Sequence, residues 1–131
     1  MLLELQAPCV VVLKIKGTDQ IIGGYNPVGW KGRDIWEYTE DSFLFSLGNG
    51  KSVKSVILSR VKNSYANRAI FHGKLYGPVF GSSDLEMKEK FNKDYNCWSQ
   101  ASSYEYIITS ESRFCVDDYE VFQIIKKEEN Y

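Results

Sequence analysis

VVVLKIKGTDQIIGGY, residues 10–25, has the outline of a β-hairpin. Val10, Val11, Val12 and Ile15 are β-branched and suit a pleated, half-buried surface. Gly17, Thr18 and Asp19 supply a turn, after which residues 20–25 resume as a partner strand. Asn26-Pro27 ends that strand, because proline has no N–H for a ladder and restricts the residue before it.

Outward from the hairpin, the chain repeats short apolar runs between Gly, Pro and Asn turns. Residues 28–41 read as a loop anchored by Trp30 and Trp36. Residues 43–47, apolar except for Ser46, read as a strand covered on both faces. Gly48-Asn49-Gly50 is a turn, and Asn-Gly suits positive φ. Residues 53–61 and 69–72 read as strands. In residues 85–91 apolar and charged side chains alternate, which favours a strand over the helical turn that Ser83 and Glu86 would open as a capping box. Residues 92–102 read as a polar loop holding Cys97 and Trp98. Residues 103–108 and 119–126 read as closing strands before a charged tail, 126–131. About eight strands without a long amphipathic helix predict a mainly β fold, a two-layer antiparallel β-sandwich.

A chain of 131 residues is the length of a single domain. A domain of this size folds without help from metal or disulfide. Net charge is −1; residues 1–65 carry eight basic and six acidic side chains, and residues 66–131 carry eight and eleven. So even a balance offers no basic stripe for nucleic acid. The three cysteines, Cys9, Cys97 and Cys115, form no CxxC pair and read as reduced thiols. No apolar run is long enough for a bilayer and no signal-peptide start appears, so the expected location is cytoplasmic, without membrane insertion.

The search for chemistry returns little. His72 is the sole histidine, and a nucleophile built on it would need an orienting third group that spacing does not identify. A zinc site would require His72 with all three cysteines, at spacings unlike those of ligand pairs. Gly50-Lys51-Ser52 lacks the upstream glycine of a phosphate loop, since Phe45 stands there, and reads as a hairpin turn. Strand geometry puts Asp118 and Glu120 on one face and Asp117 on the other, as solvated charges that guard an edge. The run Gly77-Pro78-Val79-Phe80-Gly81 reads as a corner between strands or a docking tip, and Gly23-Gly24 as a bulge or a docking tip. No metal, cofactor or catalytic residue is expected. A buried pairing of His72 with a thiol or carboxylate would count against that expectation.

Four blocks carry a resemblance: Gly23-Gly24-Tyr25 followed by Trp30; Asp41-Ser42-Phe43-Leu44-Phe45-Ser46; Tyr76-Gly77-Pro78 with Phe80-Gly81 and Asp84-Leu85; and Tyr119-Glu120-Val121-Phe122. In this order they resemble the TLDc domain, over residues 10–125. The wording of residues 23–27, 57–61 and 118–124 looks most like fungal proteins in which a BTB domain precedes the TLDc domain. TLDc domains usually begin well before the first Gly-Gly block, so the chain reads as one TLDc-like domain, 1–131, shortened at its N-terminus.

The resemblance implies short helices flanking the sandwich, a role in oxidative-stress resistance and, in several members, binding to the vacuolar proton-pumping ATPase. It implies no established catalytic mechanism. The expected function is therefore that of a non-enzymatic regulatory domain with a protein partner. Candidate contact residues are Pro27, Trp30, Gly77, Pro78, Phe80, Gly81, Asp84 and Glu120. Alternatives are a BTB-linked adaptor for ubiquitin-ligase clients, or a redox enzyme working through a thiol.

Overall fold

The computed structural model describes residues 4–5, 8–31, 34–49, 55–73, 76–88 and 97–125. Within them lie β1 (Glu4–Leu5), β2 (Cys9–Ile15), β3 (Ile21–Asn26), β4 (Trp30–Lys31), β5 (Ile35–Glu37), β6 (Phe43–Gly48), β7 (Ile57–Arg60), β8 (Ile70–His72), β9 (Tyr76–Phe80), β10 (Leu85–Lys88), β11 (Cys97–Trp98), β12 (Arg113–Phe114) and β13 (Val116–Gln123). A 3-10 helix, Asn63–Arg68, leads into β8. The strands form a five-stranded sheet in the order β13-β2-β3-β6-β7 and a six-stranded sheet in the order β12-β11-β10-β9-β8-β5. β1 and β4 pair separately. Every pairing is antiparallel, and the molecule is a mainly β two-layer sandwich.

The hairpin forms where the residues place it. Val11 lies opposite Gly24 and Val12 opposite Gly23. The alternation of β2 turns Cys9, Val11, Leu13 and Ile15 into the core and leaves Val10, Val12 and Lys14 half-buried on the outer face. Across the core lie Ile70, Phe80, Leu85, Met87, Cys97 and Phe114 from the other sheet. The layers meet closely at Gly24: a Cβ there would stand 2.6 Å from the Phe80 ring. Phe80 also meets Trp30 edge-on at 5.4 Å between ring centroids, and Tyr104 at 6.4 Å.

Five local expectations are corrected. Residues 28–41 hold two short strands, β4 and β5, because Trp30 and Trp36 sit on ladder positions within the stretch read as loop. Cys97 and Trp98 are likewise a strand, β11, bridging β10 and β12. Gly77 and Pro78 lie within β9, and the corner is formed by residues 81–84. The register shift between Glu86 and Lys88 falls opposite Pro78, the kind of irregularity at which a strand tolerates proline. β6 is covered on one face by the core (Leu44, Ser46), while Phe43 and Phe45 are half-buried and Leu47 is exposed on the other.

Residues 103–108 make only an isolated bridge, Tyr104 with Val61. Their backbone donors go elsewhere: the N–H groups of Ser103 and Tyr104 bond a carboxylate, and that of Tyr106 bonds the Ser59 hydroxyl at 2.8 Å. Residues 50–54, 89–96 and 126–131, with the Gly50-Lys51-Ser52 turn and the charged tail, lie outside the described residues.

Candidate functional site

Asp84 organises the corner after β9. Its Oδ2 accepts the N–H of Ser102 at 2.8 Å and of Tyr104 at 2.9 Å, and its Oδ1 accepts that of Ser103 at 3.0 Å. The Asp84 carbonyl accepts the Ser99 hydroxyl at 2.7 Å. Gly81 has φ +64°, and a Cβ on it would collide with Asp84 Oδ1, so glycine is required twice over. Burial pushes the Asp84 carboxyl above its ordinary range, while the three N–H donors and Lys62 pull it down.

Tyr104 completes the buried network. Its hydroxyl donates to the Ala69 carbonyl at 2.8 Å and lies 2.7 Å from the Ser42 hydroxyl, which donates to the Tyr25 carbonyl at 2.8 Å. Ala69 C=O also accepts the Gly81 N–H at 2.8 Å. The Ser42 and Tyr104 hydroxyls thus meet where the two sheets face each other, one anchored at Tyr25 and the other at Ala69, with two protons serving the three contacts. Burial raises the Tyr104 hydroxyl and keeps it protonated as a donor.

These bonds decide what the eight candidate residues do. Trp30, Gly77, Pro78, Phe80, Gly81 and Asp84 are all buried and offer a partner no contact area. Pro27 is half-buried in a turn closed by Asn26, whose Oδ1 accepts the N–H groups of Val28 at 2.9 Å and Gly29 at 3.1 Å. Glu120 alone of the eight is exposed. It lies on the outer face of β13, on the rim of a groove of about 310 Å3 lined by Val12, Lys14, Ile21, Asp118 and Phe122. Asp117 is exposed beside it and bonds Lys14 Nζ at 3.0 Å. The register shift between Val116 and Asp118 takes Asp117 off the inner face that strict alternation predicts.

The outer face of the five-stranded sheet carries an apolar stretch. Tyr25 and Phe43 touch, with ring centroids 5.3 Å apart, and Phe45 lies over Gly23, where a Cβ would stand 2.5 Å from its ring. Leu58 stands opposite Phe45 and is 43 % exposed, and Phe122 opposite Val10 is 50 % exposed. Among the described residues no layer packs over this face. Sequence reasoning missed it because it read residues 43–47 as doubly covered; their simple alternation with the buried Leu44 and Ser46 was the available signal.

His72 supplies the pairing that counts against the expectation of no catalytic residue: a buried imidazole against a carboxylate. The ring is fully buried, and its Nε2 lies 2.5 Å from Glu37 Oε2. Ile35 stands directly opposite His72, so Glu37 is the diagonal neighbour two residues along the same face. The pair resembles a base and its orienting carboxylate, but the thiols stand elsewhere. Two strands separate β8 from Cys97 in β11, about 14 Å by strand spacing. Cys9 belongs to the opposite sheet, and Cys115 follows β12 at the far end. Of the buried serine hydroxyls, Ser42 bonds Tyr25 and Tyr104, Ser59 bonds Tyr106 and Ser99 bonds Asp84, while the Ser103 hydroxyl has no hydrogen-bond partner among the described residues. The dyad ties β8 to β5, the end strand of its sheet.

Burial pushes the Cys9 thiol up to about 11 and the Cys97 thiol up to about 12. Both are therefore protonated and poorly nucleophilic at neutral pH. Among the described residues, no group of three or more His, Cys, Asp or Glu is placed to hold a metal, and no helix is long and apolar enough to cross a membrane.

The family model described as the TLDc domain matches residues 2–125. No curated protein matches the chain.

Proposed function

This chain belongs to the TLDc domain family, and we propose on that footing that it is a non-enzymatic protein-binding module. Its partner in this reading is a subunit of the vacuolar proton-pumping ATPase, and its physiological effect is support of oxidative-stress resistance. The observation that carries the binding role is the outer face of the five-stranded sheet. Half-buried Tyr25, Phe43 and Phe45 and exposed Leu58 and Phe122 make one apolar surface with acidic Glu120 at its rim. Contiguous apolar surface of this kind marks an interaction site more often than ornament. The candidate loops, by contrast, spend their polar groups on the interior, so contact falls to the sheet face.

Immobilised domain, incubated with lysate from glucose-fed and glucose-starved cells, is probed for ATPase subunits by immunoblot. Recovery of a subunit in either condition, abolished by Leu58→Asp with Phe122→Asp, is the expected result. Recovery in neither condition removes the ATPase as the partner. Recovery unchanged in the double variant removes the sheet face as the surface.

A further inference from the structure

β13 is the end strand of its sheet, and its two halves are built differently. Opposite β2, the register runs to Phe122 facing Val10 and Gln123 facing Cys9. Just beyond, the Ile124 N–H bonds the Pro8 carbonyl at 2.8 Å. Main-chain groups in an antiparallel ladder point alternately toward the partner and away from it. Glu120 and Phe122 therefore face β2 along with Ile124, while Tyr119, Val121 and Gln123 turn their N–H and C=O groups outward.

The first half of this edge is closed. Asp118 Oδ1 accepts the outward Tyr119 N–H at 2.9 Å. The register shift at Val116/Asp118 and the Lys14–Asp117 ion pair bend and charge the same stretch. Such bulges and edge charges keep a strand from pairing with another chain. The second half carries no such guard. No described strand lies along Val121 and Gln123 on their outer side. Their neighbours Phe122 and Ile124 are apolar and 50 % and 45 % exposed. At the boundary between the halves stands Glu120, without a cationic partner among the described residues, above the groove of Val12, Ile21 and Phe122.

We propose that residues 120–124 accept an extended basic peptide as an added strand of the five-stranded sheet. This rests on the reading of the domain as a protein-binding module and names the chemistry of the partner. In strand addition, main-chain hydrogen bonds supply affinity and alternate side chains supply selectivity. The outward groups of Val121 and Gln123 give the main-chain bonds. Glu120, with Asp118 beside it, selects a lysine or arginine on the peptide. Phe122, two residues on and on the same face, selects an apolar residue two positions from that cation. The partner segment is thus extended, with a basic and an apolar residue at i and i+2.

The probe is a seven-residue threonine peptide carrying lysine at its third position and valine at its fifth, fluorescently labelled and titrated with the domain. It should bind wild type, and binding should weaken by about tenfold or more in Gln123→Pro. That substitution removes an outward donor while leaving the bonds to β2 in place, as edge positions allow. Exchanging the peptide's lysine for glutamate, or methylating its alternate main-chain nitrogens, should weaken binding to wild type to a similar degree. No binding to wild type, or equal binding by Gln123→Pro, by the glutamate peptide or by the methylated peptide, overturns the proposal. Should Gln123→Pro fail to fold, the methylated peptide on wild type decides alone. Capture of an ATPase subunit that persists while the peptide fails overturns strand addition and leaves the protein-binding reading standing.

Discussion

Asp84 Oδ2 accepts the backbone N–H of Tyr104 at 2.9 Å, tying the corner after β9 to a segment twenty residues further along the chain. Two more N–H donors, from Ser102 and Ser103, converge on the same carboxylate. Asp84→Ala leaves two buried donors and one half-buried donor without an acceptor. Each orphan costs about 1–3 kcal/mol; with Ser102 only half-buried the loss should be about 3–5 kcal/mol, a large fraction of the ~5–15 kcal/mol of an ordinary domain. Asp84→Asn keeps the shape but turns an NH2 group toward an N–H, and should cost about 1–3 kcal/mol. Urea unfolding followed by circular dichroism checks both. An alanine variant as stable as wild type would deny the corner its structural role.

The same carboxylate predicts a pH dependence. Burial raises Asp84 above its ordinary value of 3.8, against the opposing pull of the N–H donors and Lys62. A group raised on folding contributes its stability fully below the unfolded value and loses it as pH climbs through the folded value. The Asp84 contribution is therefore greatest below about pH 3.8 and declines above it. Subtracting the unfolding free energy of Asp84→Asn from that of wild type, from about pH 3 to about pH 7, isolates this contribution. The difference should shrink as pH rises. Growth with pH would mean that the donors and Lys62 outweigh burial.

Much of the sandwich is legible because its strands are local. The hairpin of β2 and β3 needs only β-branched alternation and a turn, and β13 follows the same rule. Pro78 misled because a lone proline signals a corner, and only the register shift in β10 explains how a strand holds it. The segment after β11 misled for a different reason. Its apolar and aromatic residues look strand-like, yet a side chain eighteen to twenty residues away takes its donors. Six of the candidate contact residues are buried where they stand, since glycine, proline and aspartate at a corner look alike whether they greet a partner or hold the fold. Here burial separates them, leaving Glu120 outside. The His72–Glu37 pair was illegible because cross-strand diagonals depend on which strands are neighbours.

Gly24 offers a packing test. A Cβ there would meet the Phe80 ring of the facing sheet at 2.6 Å and Leu44 of the neighbouring strand at 2.8 Å. Gly24→Ala should therefore destabilise by about 1–3 kcal/mol, the usual cost of overpacking. Phe80→Leu in the same chain relieves the ring contact, so the double variant should lose less than the sum of the single variants. Additive losses in a double-mutant cycle would separate the two sites energetically.

Thiol reactivity distinguishes a binding module from a redox catalyst. Cys9 and Cys97 are fully buried, with thiols pushed up to about 11 and about 12. At pH 8 their thiolate fractions are on the order of one part in a thousand and one part in ten thousand. Cys115 is half-buried and accessible by comparison. In native protein, Ellman's reagent should label Cys115 within minutes and reach Cys9 and Cys97 only on unfolding. Equal rates at all three positions would contradict the burial that the fold imposes. Cys115→Ser then becomes the informative variant in cells, since it removes the accessible sulfur. Under the protein-binding reading, peroxide resistance conferred by the domain is unchanged by Cys115→Ser and lost with Leu58→Asp and Phe122→Asp. The reverse pattern would assign the protection to thiol chemistry.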